Sequence, residues 1–186
     1  METEEILLEA EERMENAVEA LHNAFGSVRT GRASGKVLDR IRVDYYGAMT
    51  PINQLAGVKA PDAHLLVIEP WDKSSLKSIE RAIMESDLGV TPSNDGMVIR
   101  LPFPELTEER RRELVKLCKG YAEDARVSVR HARRDANTAL SKAEKASEIT
   151  EDDLRRGEND VQKLTDKYIA KIDEAFKAKE AEVMEI

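Results

Sequence analysis

Apolar residues recur every three or four positions in three long segments of this chain. In residues 3–28 this spacing places the apolar side chains on one seam of an amphipathic helix. The members of the seam are Leu7, Ala10, Met14, Ala17, Leu21, Ala24 and Val28, with Val18 and Phe25 beside it. No glycine or proline interrupts this pattern before Gly26, so we predict one continuous helix.

A second helix is predicted over residues 107–146. Thr107 suits the N-cap position, because a hydroxyl can accept from a backbone N–H that has no partner in the first turn. Most side chains of its seam are small: Val115, Cys118, Ala122, Ala125, Val129, Ala132, Ala136, Ala139 and Ala143. Partner helices can therefore approach this helix closely.

A third helix is predicted over residues 150–184, where Thr150 and Asp153 match a capping box. Its apolar face consists of Leu154, Val161, Leu164, Tyr168, Ile172, Ala175 and Val183. Helices this long with a single apolar face need partners to bury it, so the three predict a three-helix bundle. The connection between the second and third is short, which predicts that these two are antiparallel neighbours.

Residues 30–105 have a different pattern and contain all six prolines. We predict strands over residues 37–46, 64–69 and 97–101, with a turn at Asn94-Asp95-Gly96. A helix over residues 74–87 would stop at Gly89 and bury Leu76, Ile79, Ile83 and Met84. The predicted fold class is α+β: an elongated three-helix bundle with an inserted small β/α/β domain.

The predicted bundle domain is discontinuous and comprises residues 1–29 and 106–186, with the inserted domain over residues 30–105. The chain crosses between them near residues 29–35 and near residues 101–105. We predict a hinge there, because glycine permits backbone rotation while proline limits it. The predicted hinge residues are Thr30, Gly31, Ala33, Ser34, Pro102 and Pro104. The alternative is two ordinary loops.

The net charge of −8, from 29 basic and 37 acidic residues, argues against a nucleic-acid binder when taken alone. Its distribution changes that interpretation, because residues 110–134 contain nine basic and only three acidic residues. Arg112, Lys119, Arg126 and Arg133 are seven apart, and Arg126, Arg130 and Arg134 are four apart. Such rows share a helix face, and arginine suits bidentate phosphate contact. The alternative is salt bridges to the acidic first and third helices, above all for Arg112 and Lys119.

Other chemistry is poorly represented in the sequence. The single cysteine, Cys118, excludes a disulfide framework, and the three histidines share no metal-ligand spacing. There is no glycine-rich phosphate loop and no recognisable Ser–His arrangement, so we expect neither an enzyme nor a cofactor. No apolar run approaches the ~20 residues of a membrane helix, and the acidic start is unlike a targeting segment. We expect a soluble cytoplasmic protein.

Several longer motifs follow one another along essentially the whole chain and resemble the ribosome recycling factor family. The most extensive is Val127-Ser128-Val129-Arg130-His131-Ala132-Arg133-Arg134-Asp135-Ala136-Asn137. The others span residues 29–34 (RTGRAS), 44–47 (DYYG), 51–56 (PINQLA), 86–89 (SDLG), 106–111 (LTEERR) and 160–166 (DVQKLTD). A series of motifs in family order is more specific than any single one of them.

The resemblance implies an L-shaped molecule with a flexible elbow that acts on ribosomes after termination. The bundle would bind RNA of the large subunit, and the inserted domain would face elongation factor G. Elongation factor G, hydrolysing GTP, would then drive the ribosome apart into subunits for a new round of translation. The factor itself would catalyse no covalent reaction, and we expect it to be a monomer with no membrane partner.

The resemblance also implies which residues contact RNA. Arg133 would be the critical one. The others implied by the motifs are Arg130, Arg134, Arg29, Arg32 and Arg110, and the arginine rows of the second helix add Arg126 to the predicted RNA-contacting residues. Two other functions are the alternatives. One is a helical module that binds protein helices and uses its arginines as salt bridges; the other is a small hydrolase in the inserted domain, which no set of residues supports.

Overall fold

The computed structural model describes residues 2–30 and 33–185, and it combines long packed helices with a small β-sheet region. The chain forms two compact units. The first consists of the residues up to Asn23 together with Leu117–Glu180, and the second of Ala24–Lys116 with the residues from Ala181 onward. Mixed helix and sheet is the predicted class. The domain boundaries at residues 29 and 106 stay predictions.

The helices are α1 (Thr3–Gly26), α2 (Leu76–Glu85), α3 (Glu108–Lys145) and α4 (Glu151–Met184). The predicted caps are present at the two longest. Thr107 Oγ1 accepts from the Arg110 amide at 3.1 Å. Thr150 and Asp153 form the reciprocal capping box, with each side chain accepting from the other's amide at 3.0 and 3.1 Å.

Contacts within the first unit define the helix directions. Arg126 meets Asp173, whereas Leu140, further along α3, meets Gly157, which comes earlier in α4. The two helices are therefore antiparallel neighbours, as predicted. Along α1, Thr3 lies near Gly157 and Glu11 bonds Tyr168, so α1 runs parallel to α4.

The bundle core follows the predicted seams closely on α3. Cys118, Ala122, Val129 and Ala132 are almost completely buried, with Leu140 added beside them. On α1 the buried face is shifted from the predicted seam: Leu7, Ala17 and Ala24 of that seam are only half-buried. The fully buried residues there are Ile6, Ala10, Met14, Leu21 and Phe25.

In the part of the second unit that the structure describes, the strands are β1 (Arg42–Tyr45), β2 (Ala48–Pro51), β3 (Ala56–Asp62), β4 (Leu65–Pro70), β5 (Ser93–Asn94) and β6 (Ile99–Pro102). β1 and β2 form a hairpin, and the other four form an antiparallel sheet in the order β3-β4-β6-β5. One apolar core joins them to α2; its fully buried members include Val43, Leu66, Ile68, Ile79, Ile99, Leu101 and Phe103.

Several predicted boundaries in this unit were wrong. The predicted strand over 37–46 begins only at Arg42, because Gly35–Leu38 is a 3-10 turn whose start is capped by the Ser34 hydroxyl. α2 ends at Glu85 because Ser86 is extended (ψ 164°), which leaves Met84 62% exposed instead of buried. Strands β2, β3 and β5 were not predicted. Gly57 and Pro61 inside β3 disguise it, since both residue types weaken a strand pattern.

Candidate nucleic-acid interface

Helix α3 carries four of the predicted RNA-contacting arginines on one side. At 100° per residue, Arg126 and Arg133 fall almost on one line, and Arg130 and Arg134 lie progressively further from the buried seam. Burial follows that order: Arg126 and Arg133 are partly buried, while Arg130 and Arg134 are exposed. The structure therefore brings these four side chains together.

Arg126 binds side chains of α3 and α4 within the bundle. Its Nε and Nη2 both donate to Asp173 Oδ1 of α4, at 2.9 and 2.7 Å, and its Nη1 donates to Glu123 at 3.2 Å. Burial lowers the pKa of Arg126, but the hydrogen bonds to Asp173 and Glu123 outweigh it and raise the pKa overall. This residue forms the interhelical salt bridge that we weighed as the alternative to RNA contact.

Arg130 shares a carboxylate with Arg126. Its Nη1 donates to Glu123 at 3.2 Å, and its side chain is 46% exposed. Hydrogen bonds from Arg130, and then from Arg126, lower the pKa of Glu123, so that this carboxylate stays ionised. Because Asp173 already offsets the charge of Arg126, Glu123 offsets the charge of Arg130, and the positive charge on this side of α3 comes from Arg133 and Arg134.

Arg133 and Arg134 keep their full charge. Arg133 donates to the neutral side-chain oxygen of Gln162 in α4 at 3.4 Å, and neither arginine forms an ion pair with any residue in ranges 2–30 and 33–185. Asp135, the nearest acid in sequence, is instead bound by Arg13 of α1 at 2.7 Å. Arg130, Arg133 and Arg134 therefore form a cationic face, the name we use for them below.

The structure differs from the salt-bridge alternative in two respects. Arg112 pairs with Glu108 at 2.7 Å within α3 itself, whereas the alternative gave it a partner on the first or third helix. Asp173, the partner of Arg126, is not among the residues singled out in the sequence. No local signal could have shown it, because the two are 47 residues apart in the chain.

Arg29 and Arg110 belong to the second unit. Arg29 is 8% exposed, its guanidinium lies 5.2 Å from the centroid of the Phe103 ring, and its Nη2 donates to the Pro104 carbonyl. Its buried Nε forms no hydrogen bond with any of the residues that the structure describes. Burial, and then the charge of Arg110, lowers the pKa of Arg29. This environment favours a packing role for Arg29, while Arg110 pairs with Glu113 at 2.8 Å. Arg32 lies outside the described residues.

The predicted hinge segments are fastened to the turn between β3 and β4. The Ala33 amide donates to the Ala63 carbonyl at 2.7 Å. The Phe103 amide donates to the His64 carbonyl at 2.6 Å, and His64 Nδ1 donates back to the Phe103 carbonyl at 3.1 Å. Ser34 caps the following 3-10 turn, and Pro102 ends β6. Gly31 lies outside the described residues.

The described part of the chain contains neither a candidate metal site nor a candidate membrane-spanning helix. Within residues 2–30 and 33–185, His, Cys, Asp and Glu side chains nowhere gather in a group of three that could hold a metal ion. Over the same ranges, no helix combines the length and apolar character that crossing a bilayer requires.

A family model described as ribosome recycling factor matches residues 21–184. This chain belongs to the ribosome recycling factor family. It is 58% identical over 181 residues to the ribosome-recycling factor of Oleidesulfovibrio alaskensis, across 97% of this chain and 98% of that protein. The ribosome-recycling factor of Bacillus thuringiensis is 58% identical over 183 residues, across 98% and 99%.

Solved structures of ribosome recycling factors share the fold. One solution structure has a TM-score of 0.77 at 44% identity and covers 100% of this chain and 99% of its own. The T. thermophilus ribosome recycling factor has a TM-score of 0.66 at 43% identity, across 99% and 100%. It belongs to a set of models with E. coli elongation factor G bound to the E. coli post-termination complex.

Proposed function

We propose that this chain binds the large ribosomal subunit of the post-termination complex and, with elongation factor G and GTP, promotes splitting of the ribosome into subunits. Family membership supports the recycling role. The observation that carries the binding site is the cationic face of Arg130, Arg133 and Arg134, which keeps a net positive charge on an acidic protein.

Ribosomal RNA phosphates suit this face for a physical reason. A guanidinium presents five N–H donors in a planar fork that matches a phosphate, and Arg133 uses one of them on Gln162. Its remaining donors, and those of Arg134, are available to RNA. In this proposal Arg126 acts indirectly, because its bonds to Asp173 and Glu123 hold α3 against α4 and keep the face in place.

The acidic remainder of the surface contributes to orientation. Acidic side chains repel RNA, and salt limits this repulsion to roughly one Debye length, ~8 Å at physiological ionic strength. Docking is therefore favoured only through the cationic face. The proposal assigns no covalent step and no cofactor to this chain, since elongation factor G carries and hydrolyses the GTP. The factor acts in the cytoplasm as a monomer.

We also propose that the bundle (residues 1–29 and 106–186) and the small domain (residues 30–105) rotate about the two crossings. The bonds from Ala33 and Phe103 to the β3–β4 turn tie both crossings to the small domain. Rotation then falls to Thr30, Gly31 and the stretch after Pro104. Gly31→Pro should leave the unfolding of the bundle nearly unchanged and slow subunit splitting; splitting at the normal rate would remove the need for hinge motion.

The site is tested with Arg133→Glu. The variant should stay folded by circular dichroism, sediment poorly with purified large subunits and split ribosomes slowly with elongation factor G and GTP. Arg155→Glu is the matched control, because it makes the same charge change on an exposed arginine of α4 that pairs with Glu151 within its own helix. If both variants split ribosomes as the wild type does, the site assignment is wrong.

Salt dependence gives a second measurement. Each phosphate contact should add ~0.7–0.9 to the slope of log affinity against log salt, so Arg133→Glu should make the slope shallower. If the affinity of the wild-type protein does not depend on salt concentration, phosphate contacts do not account for the binding. The alternative, a module that binds protein helices, predicts instead that the protein purifies with a protein partner and that nuclease treatment does not release it.

A further inference from the structure

Gly120 occupies the exposed side of α3, well inside the helix. If a Cβ were built on it, no atom of the described residues would lie within 4 Å, so no packing inside the chain requires a glycine there. Glycine is a poor helix former in comparison with alanine, because it loses more backbone freedom on folding. The chain therefore carries an unfavourable residue at this position without an internal reason.

The neighbours of Gly120 on the helix surface are unusual for a solvated face. Leu117, three residues earlier, is 44% exposed, and Val127, seven residues later, is 40% exposed. Asp124, one turn after Gly120, is exposed and forms no ion pair with the described residues. Leu117, Val127 and Asp124, together with the exposed charged side chains of Lys116 and Glu123, thus border a shallow point where the helix backbone can be approached.

This shallow point lies on the side of α3 that carries Arg134, one member of the cationic face. Arg134 follows Val127 by seven residues, so the two fall nearly on one line along α3. Arg130 lies ~15 Å along the axis from Gly120, at 1.5 Å per residue. A single extended partner could therefore lie along both parts, with anionic groups at the arginines and a different surface at Gly120.

We propose that Gly120 is the point where the sugar edge of the ribosomal RNA backbone approaches α3, an inference that rests on the proposed function. An A-form helix displays its riboses and 2′-hydroxyls across a wide, shallow minor groove. Leu117 and Val127 contact sugar carbons, the Asp124 carboxylate accepts from a 2′-hydroxyl, and Arg130 and Arg134 bind phosphates. Asp124 would repel a phosphate, which favours a sugar at this position.

Gly120→Ala and Gly120→Leu test the close approach. Both should raise the thermal midpoint, by about 2–4 °C for alanine, since each is a better helix former than glycine. Both should nevertheless weaken binding to purified large subunits, and leucine should do so by roughly tenfold or more, because a larger side chain displaces the RNA. Ser128→Ala and Ser128→Leu are the controls, about 80° away around the helix, and should bind as the wild type does.

Asp124→Ala distinguishes acceptance of a hydroxyl from simple repulsion. Removal of a negative charge should strengthen RNA binding if Asp124 only repels it, whereas loss of an acceptor should weaken binding and raise 2′-hydroxyl acylation of the protected nucleotides. Tighter binding by Asp124→Ala, or unchanged binding by Gly120→Leu, would overturn the inference. Arg133→Glu separates the two proposals: if it binds poorly while Gly120→Leu binds normally, the cationic face survives and only the sugar contact is wrong.

Discussion

Gly157 lies in the second turn of α4 and is buried beneath Leu140 of α3. An added Cβ would lie 2.9 and 3.0 Å from the two methyl carbons of Leu140 and 3.4 Å from Thr3 Cγ2. Carbon atoms in favourable contact are ~3.5–4.0 Å apart, so the new methyl group would be too close by more than half an ångström. Leu140 is completely buried in a cluster with Ile6, Ala136 and Val161, and it has little room to turn away.

Gly157→Ala should therefore destabilise the bundle although alanine is the better helix former. Overpacking a core costs on the order of 1–3 kcal/mol. The gain in helix propensity returns ~1 kcal/mol. We expect a net loss of ~1 kcal/mol in the free energy of unfolding, or a fall of about 2–4 °C in the thermal midpoint. Urea denaturation followed by far-UV circular dichroism measures both the free energy and its denaturant slope.

Two further variants test whether packing against Leu140 causes the loss of stability. Gly120→Ala makes the same change in a helix where nothing lies within 4 Å, so it should stabilise the protein by ~1 kcal/mol. In a Leu140→Ala background, which by itself should lose about 2–5 kcal/mol, Gly157→Ala should become stabilising because the cavity accepts its methyl group. If Gly157→Ala stabilises the wild-type protein as much as Gly120→Ala does, the packing argument is refuted.

Three further predictions concern caps and titration. Thr150→Ala should lower the free energy of unfolding by ~1 kcal/mol, since it removes the capping-box bond at the start of α4. The Asp95 carboxylate accepts from the amides of Val98 and Met97, which lowers its pKa from 3.8 to about 2. NMR of the Asp95 carboxyl group should show that titration. The ionised carboxylate stabilises the folded protein; this contribution is complete above pH 3.8 and should be lost as the pH falls towards 2. Burial raises the pKa of the Cys118 thiol to about 11, against the opposing charge of Lys179, so Ellman's reagent at pH 8 should react only when the bundle unfolds.

Each of these has a control. Ser128→Ala, away from any cap, should leave stability nearly unchanged, and an equal loss would mean that Thr150 is not special. Asp95→Asn should remove the acid dependence between pH 3.8 and 2, so the same dependence in that variant would assign it to another group. Immediate reaction of folded protein with Ellman's reagent would show that Cys118 is accessible.

Local features of this protein could be predicted from the sequence because their partners are near in the chain. The cap of Thr107 and the capping box of Thr150 join residues three apart, and the observed bonds are the predicted ones. The seam of α3 follows from helix periodicity alone. The family could be predicted as well, because its motifs are stretches of adjacent residues.

The strand boundaries needed more than local pattern. Ser34 stabilises a 3-10 turn where alternation predicted a strand. β3 continues through Gly57 because β4 pairs with it, and Pro61 falls where the β3–β4 register shifts, between Lys59 and Asp62. Local propensity is a weak guide wherever a neighbouring strand satisfies the backbone, and in this unit that neighbour decided the result.

The charge of the candidate site also depends partly on local sequence and partly on tertiary packing. Sequence spacing placed Arg126, Arg130, Arg133 and Arg134 on one side of a helix. Only the packing of α4 and α1 against α3 brought Asp173 to Arg126 and took Asp135 away to Arg13. Periodicity determines which side chains share a face. Their partners come from other helices, and because a charge is neutralised only by a group within a few ångströms, tertiary structure decided which of these arginines are paired between helices and which are not.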